Sequence, residues 1–254
     1  MPSGSARGSY TGCIVDPVPE HERILAEYRS RAETIPADRY AWQREEIQYW
    51  QASTARVCAR LLRQSGAFPL TNSRIADIGC GTGNWLLEFL QWGARAQNLH
   101  GIDLIEERIA AARERLPGVD LRCGDATKLP WASGSFDLVT QFTAFSSMPD
   151  GSMQHEVALE MQRVLRPGGR ILWYDCGYSN PLRRAVRGLR RDDVRDLFPG
   201  SAIRFASATL VPALCRALAR RSWVAAAALE SLPFARTHIA ALINSPEPNS
   251  SLRA

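Results

Sequence analysis

The sequence predicts an α/β fold, a mostly parallel sheet with helices on both faces. Three observations predict it. From residue 74 to residue 176, short apolar runs alternate with segments of helical period. The first run, Ile75 to Ile78, passes through Gly79, Gly81 and Gly83 into an apolar segment with Trp85, Leu86, Leu87, Phe89 and Leu90: strand, tight turn, helix. The chain has 254 residues and is 45% hydrophobic, which suits one large α/β domain with an appendage.

Taken in order, Glu20 to Ala32 reads as a first helix. Arg39 to Gln64 reads as a longer one, with Trp42, Ile47, Trp50, Ala55, Cys58 and Leu61 near helical spacing. Gly66 and Pro69 break the chain. After the glycine turn, Asn84 to Trp92 is helical, and Leu99 to Asp103 is the second strand. Asp103 stands twenty residues past Gly83, where an acid at a strand tip can accept both hydroxyls of a ribose. Ile105 to Leu116 is the next helix. Val119 to Asp125 is the third strand, with a second acid at its end. A short irregular connection near Leu129-Pro130-Trp131 leads to a fourth strand from Ser135 to Phe142. Met153 to Leu165 is a helix, Pro167-Gly168-Gly169 a break, and Arg170 to Asp175 a fifth strand. Pro181 to Leu197 reads as a helix pair broken near Gly188, Ala202 to Leu210 as a strand, Pro212 to Leu232 as one helix, and Thr237 to Ile243 as a last strand.

The glycine turn carries the chemistry. Its pattern, Asp77-x-Gly79-x-Gly81-x-Gly83, is not the dinucleotide G-x-G-x-x-G, and it points to a ligand without a pyrophosphate at this turn. Glycines there let a ligand approach the main chain.

Five segments stand in a fixed order: Asp77-Ile-Gly-Cys-Gly-Thr-Gly83, Gly101-Ile-Asp103, Gly124-Asp125-Ala126, Phe136-Asp137-Leu-Val and Arg163-Val-Leu-Arg-Pro-Gly-Gly169. With them the chain resembles the class I S-adenosylmethionine (SAM)-dependent methyltransferases, closest to the type 11 methyltransferase domain. Tyr40, Trp42, Trp173-Tyr174-Asp175, Asn180-Pro181 and Arg236-Thr237-His238 extend the likeness toward bacterial enzymes of envelope-glycan and secondary-metabolite pathways. The resemblance implies a doubly wound, Rossmann-like sheet of seven strands, the last two an antiparallel pair. A helical insertion at 211–232 would separate them. It also implies a SAM-binding domain over 71–243 and a helical cap or lid over 1–70, while the polar composition of 244–254, with Pro246 and Pro248, predicts a disordered tail.

Residue roles follow from the same resemblance. Gly79, Cys80, Gly81 and Gly83 pass close to the methionine part of SAM, with Cys80 facing cofactor or core. Asp77 helps hold the ammonium, directly or through water. Asp103, with Leu104 beside it, takes the ribose hydroxyls. Asp125 accepts the adenine amino hydrogen, with Ala126 close to the ring. Gln141 and Phe142 line the methyl end. Asp175 and His155 are the candidate proton acceptors; Asp175 reads equally well as a cap, and His155 sits off the buried face of its helix, which weighs against it. Tyr40, Trp42, Phe145, Tyr174 and Tyr178 are candidates for a substrate cavity. His21, His100 and His238 read as structural.

The remaining features bound the function. Six cysteines show no C-x-x-C pair and no metal spacing, so reduced thiols, a cytoplasmic location and no metal are expected. Met1 to Thr11 is polar, without the apolar run of a secretory signal, and no apolar run reaches 18 residues. Net charge is +5, carried by arginines except for Lys128. The arginine run from Arg183 to Arg195 is interleaved with Asp192 and Asp193, which reads as a solvated helix with internal ion pairs rather than an RNA surface. Pro212 to Leu232, apolar with Arg216, Arg220 and Arg221, reads as a lid that could also touch a membrane surface. The function expected is methyl transfer from SAM to a small-molecule or glycan acceptor, at an oxygen, by a monomer or homodimer without nucleic acid. A tRNA or rRNA methyltransferase, and a SAM-binding protein that transfers no methyl group, are the competing readings.

Overall fold

A computed structural model describes residues 20–34, 36, 39, 41–148, 150–178 and 187–245. Seven strands form one sheet: β1 (Ile75–Ile78), β2 (Leu99–Asp103), β3 (Asp120–Cys123), β4 (Phe136–Phe142), β5 (Leu165–Cys176), β6 (Ile203–Leu210) and β7 (Arg236–Asn244). The order across the sheet is β3-β2-β1-β4-β5-β7-β6. The first five are mutually parallel, and β7 runs antiparallel to both β5 and β6. The strand order reverses at β1, so the crevice for a ligand lies at the carboxyl edge of β1 and its neighbours.

The helices are α1 (Glu20–Thr34), α2 (Glu45–Gln64), α3 (Asn84–Gln91), α4 (Glu106–Arg115), α5 (Gly151–Val164), α6 (Arg191–Leu197), α7 (Pro212–Leu218) and α8 (Trp223–Glu230). Strand alternation divides the core between two faces. Ile75, Leu138 and Leu172 pack with Leu61 and Leu62 of α2, Phe89 of α3 and Ile109 of α4. Ile78, Val139, Ile171 and Trp173 pack with Ile24 of α1, Val157 and Met161 of α5, and Val194 and Leu197 of α6. The two N-terminal helices therefore sit on opposite faces of the sheet.

Four elements depart from the sequence reading. The helix expected from Arg39 begins at Glu45. The third strand ends at Cys123, which leaves Asp125 in the loop beyond it. Pro167-Gly168-Gly169 does not separate helix from strand: Leu165 already pairs with Phe136, and the register shifts before Leu138 pairs with Arg170, so the break is a bulge inside β5. The helix expected over Pro212 to Leu232 is two helices. Ser222, extended at φ −161°, accepts the amide of Ala225 on its hydroxyl and starts α8 afresh. The expected helix from Pro181 and the tail from residue 246 lie outside the described residues.

Candidate functional site

The turn after β1 is built by its glycines. Gly79 and Gly83 take φ of +71° and +79°, a region closed to most side chains. A Cβ on Gly83 would collide with Leu116, and one on Gly79 would lie 2.8 Å from the Cβ of Ala144. The amides of Gly79 and Cys80 both donate to the carbonyl of Ile102, at 2.8 and 3.0 Å, which seals the turn onto β2. Asp103 at the tip of β2 accepts the amide of Gly81 on Oδ2 at 2.8 Å and that of Ile105 on Oδ1 at 3.0 Å. One carboxylate thus ties together the two loops that a ligand would meet.

A cavity opens where these loops converge. Gly79, Asp103, Leu104, Asp125, Ala126 and Phe142, six residues expected from sequence to meet the cofactor, line it. Asp125 is fixed by the amide and hydroxyl of Thr127, at 2.8 and 2.6 Å. Partial burial pushes its carboxyl up, but Thr127 and His21 together hold it below the usual carboxylate range. Asp77, expected to hold the ammonium, does not line the cavity; it is buried, with Oδ1 accepting the Thr140 hydroxyl at 2.7 Å. Burial pushes its carboxyl up to about 7; the Thr140 hydrogen bond opposes this and the charge of Asp103 adds to it.

The cavity is closed by His21, which the sequence reading took as structural, and by Ile24 and Tyr28, which it did not single out. His21, Ile24 and Tyr28 of α1, at spacings of three and four, form its far wall. His21 Nε2 stands 2.9 Å from Asp125 Oδ2. The Tyr28 hydroxyl donates to Ser147 Oγ at 3.3 Å, and Arg23 donates to the Ser147 carbonyl at 3.1 Å. Arg108 reaches over the Tyr28 ring, 4.4 Å from its centroid, with its Nη1 3.9 Å from Asp103. The helical spacing of His21, Ile24 and Tyr28 was present in the sequence, but nothing there says which face of the sheet α1 crosses. Thr143 also lines the cavity and takes φ +60°, rare for a β-branched residue; its amide donates to the Tyr174 carbonyl at 2.8 Å.

Several expected site residues are placed elsewhere. Gln141 is buried and fixes the turn rather than lining the cavity: its Nε2 donates to the Tyr174 carbonyl at 3.3 Å and its Oε1 accepts the Ala144 amide at 3.1 Å. Phe142 reaches the cavity and stacks on Trp85, with centroids 3.6 Å apart. Cys80 is buried, and its sulfur would contact a Cβ on Gly101, so it faces the core. Burial raises its thiol well above the ordinary range.

Asp175 is enclosed: its Oδ2 accepts the Ser146 amide at 3.1 Å and its Oδ1 the Cys176 amide at 2.8 Å. It acts as a cap, away from the cavity lining, with burial pushing it up to about 6. His155 is exposed on α5, also away from the lining. Phe145 packs in the core. Tyr174 is buried, its hydroxyl bonded to Trp50, Thr54 and Thr209. His238 stacks on Tyr174 with rings 2° apart, and burial lowers it to about 4. Trp42 and Tyr178 are exposed, and Tyr178 borders a second hollow with Arg191, Arg236 and Phe234. Tyr40 lies outside the described residues. Among the described arginines of the run, Arg195 pairs with Asp192 and Arg187 lies near Asp193. No group of histidine, cysteine and acidic residues that could hold a metal occurs among the described residues.

Residues 75–169 match the family model of a methyltransferase domain. The demethylmenaquinone methyltransferase of Listeria welshimeri is 31% identical over 113 residues, 42% of this chain and 47% of that protein. The Staphylococcus aureus protein of the same name is 35% identical over 104 residues, 39% of this chain and 42% of its own length. The aligned part of this chain thus spans less than half the length of these curated relatives. Among solved structures, a SAM-dependent methyltransferase of Methanosarcina mazei superposes with TM-score 0.52 at 18% identity, covering 72% of this chain and 95% of that one. The [4+2]-cyclase SpnF superposes with TM-score 0.57 at 21% identity, covering 78% of this chain and 83% of that one.

The fold is that of the class I SAM-dependent methyltransferases, and SAM is the cofactor it implies. The residues present fit it. Two carboxylates, Asp103 and Asp125, face one cavity whose walls include Leu104, Ala126 and Met153, a setting for a ribose and a flat base.

Proposed function

We propose that this chain, which carries a methyltransferase domain in a class I SAM-dependent fold, moves a methyl group from SAM to a small-molecule acceptor. The observation that carries the proposal is the convergence of Gly79, Asp103 and Asp125 on one cavity from the ends of β1, β2 and β3. SAM supplies an electrophilic methyl on a sulfonium. The protein's part is to orient and to exclude water, worth about 7–11 kcal/mol in such reactions. In this reading Asp103 holds the ribose hydroxyls, Asp125 the adenine amino group, and Asp77 the ammonium. Arg108 and Tyr28 close the ribose side, and α1 covers the cleft.

The acceptor is read from the walls. Ile24, Met148 and Met153 favour an apolar molecule over a glycan. At the Phe142–Thr143–Ala144 end no acid, histidine or lysine lines the cavity among the described residues. An acceptor that sheds its proton unaided suits this, so an acidic hydroxyl, phenol or enol, is the class we favour, with oxygen as the methylated atom. The relatives named demethylmenaquinone methyltransferase support including quinols, where carbon is the competing position. Neither Asp175 nor His155 has a part in the proposed step.

Calorimetry with SAM, followed by labelled methyl transfer to phenols, quinols, glycans and bulk tRNA, tests the reading. One binding site and transfer to a hydroxyaromatic are expected. Binding without transfer to any acceptor would favour a SAM-binding protein of another activity, as the fold's occurrence in a [4+2]-cyclase allows.

A further inference from the structure

Between β6 and β7 the chain leaves the sheet for residues 211–235, which contain α7 and α8. Of the fifteen exposed residues in this excursion, eleven are apolar, three are Arg216, Arg220 and Arg221, and one is Ser231. Its single carboxylate, Glu230, is buried against Tyr49, Ser53 and the Thr209 amide. Val224 and Phe234 are 80% and 81% exposed, far beyond what packing on the protein accounts for. Trp42, 61% exposed, stands three residues before Glu45, which accepts the Trp223 indole N–H at 3.1 Å. Soluble surfaces interleave both charge signs and avoid clustered large apolar groups. This one carries cations, bulky apolar side chains and indoles, with Glu45 at its rim.

We propose that residues 211–235, together with Trp42, dock the protein on the surface of an anionic lipid bilayer. Bulky apolar and aromatic groups beside arginines are the composition of interfacial segments, and arginines are drawn to anionic headgroups. Charge selects this partner over a second copy of the chain. A twofold contact would bring two copies of this arginine-bearing patch together with no exposed acid of the excursion between them. The contact is interfacial, because α7 and α8 have seven and eight residues and a spanning helix needs about 20.

Position adds a reason. The excursion follows the carboxyl end of β6, which lies parallel to β5 through β7, so it stands on the same carboxyl side of the sheet as the cavity, at the β6 end. A bilayer bound there meets the side at which an apolar acceptor would enter.

Flotation of the full chain with vesicles tests this, comparing phosphatidylcholine alone with a mixture containing about a third phosphatidylglycerol. Binding to the mixture and not to the neutral vesicles is expected. R216Q/R220Q/R221Q, all exposed positions, should cut that binding more than tenfold at physiological salt, as about 1 kcal/mol for each basic residue near the surface implies. V224S/F234S should do the same while leaving the far-ultraviolet spectrum unchanged; if it misfolds, the arginine variant decides. Absence of binding to anionic vesicles overturns the proposal. So does binding unaltered by the arginine variant, and so does a dimer in sedimentation that V224S/F234S converts to monomer.

Discussion

At Asp77 stability and function pull in opposite directions. Its carboxyl is buried in the free protein and raised from 3.8 to about 7, with Thr140 as its side-chain donor. Below about pH 4 the group is neutral in both folded and unfolded chains. As pH rises toward 7 the unfolded chain ionises and the folded one resists, so stability falls through that window. Asp77→Asn keeps the acceptor for Thr140 and removes the titration. The Asn variant should therefore gain in melting temperature over the wild type as pH goes from 5 to 8, by the equivalent of a few kcal/mol at most. It should also bind SAM more than tenfold more weakly, because the ammonium loses its counter-charge. Parallel melting curves at every pH would contradict the buried-acid account. Asp103 differs, because both its oxygens already hold backbone amides that shape the site. Asp103→Ala should weaken SAM by about 1.5–3 kcal/mol in calorimetry and also lower stability by about 1–3 kcal/mol, as two amides lose a charged acceptor. The acids and glycines were legible in the sequence because each ends an apolar run at a fixed distance. The burial of Asp175, Gln141 and Tyr174 was not, since it depends on which loop folds back over the strand end.

At the scale of elements, two helices and one helical pair have different tasks. α1 crosses the cavity and touches Asp125, the loop after β4 and Arg108. In our reading Asp125 is wanted by both His21 and the adenine amino group. His21→Ala should then tighten SAM two- to fivefold, the scale of a partly exposed pair worth up to about 1 kcal/mol. Weaker binding in that variant would place His21 among the bound contacts instead. Hydrogen exchange should slow over residues 20–34 on adding SAM. α7 and α8 should show no such change, because their buried side packs on α2 through Tyr49, Cys215 and Ala226 and does not line the cavity. The sequence expectation gave a lid role both to residues 1–70 and to Pro212 to Leu232, and of these only α1 lines the cavity among the described residues. Helical period revealed where the helical segments lie, while the face each covers is a tertiary fact. The split at Ser222 had a local signal, a Ser before an apolar run, masked by the continuous apolar composition around it. Glu230 fastens the pair to α2, and Glu230→Ala, which strands the Tyr49 and Ser53 hydroxyls and the Thr209 amide, should cost about 2–4 kcal/mol in denaturant unfolding.

At the scale of the molecule, strand order decides what the parts can do together. The reversal at β1 puts the turn from Gly79 to Gly83 between β2 and β4, so one ligand can meet the ends of β1, β2, β3 and β4 at once. The alternation of strand and helix predicted a parallel sheet and the resemblance implied an antiparallel last pair, but the order 3-2-1-4-5-7-6 is read from the structure alone. Periodicity does not encode which strands are neighbours. A ligand held by four strand ends and covered by α1 binds the folded chain alone and must stabilise it globally. At a hundredfold excess over its Kd, SAM should add about 2.7 kcal/mol. For a chain of this size that raises the melting temperature by about 5–10 °C. The demethylated product, which keeps the ribose, base and amino acid, should raise it by a similar amount. NAD should not, because the turn has no G-x-G-x-x-G spacing to receive a pyrophosphate. The shift should shrink by more than half in Asp103→Ala and stay intact in R216Q/R220Q/R221Q, whose exposed arginines lie outside the cavity lining. A shift that survives the first variant and vanishes in the second would place the cofactor outside the β1–β4 crevice.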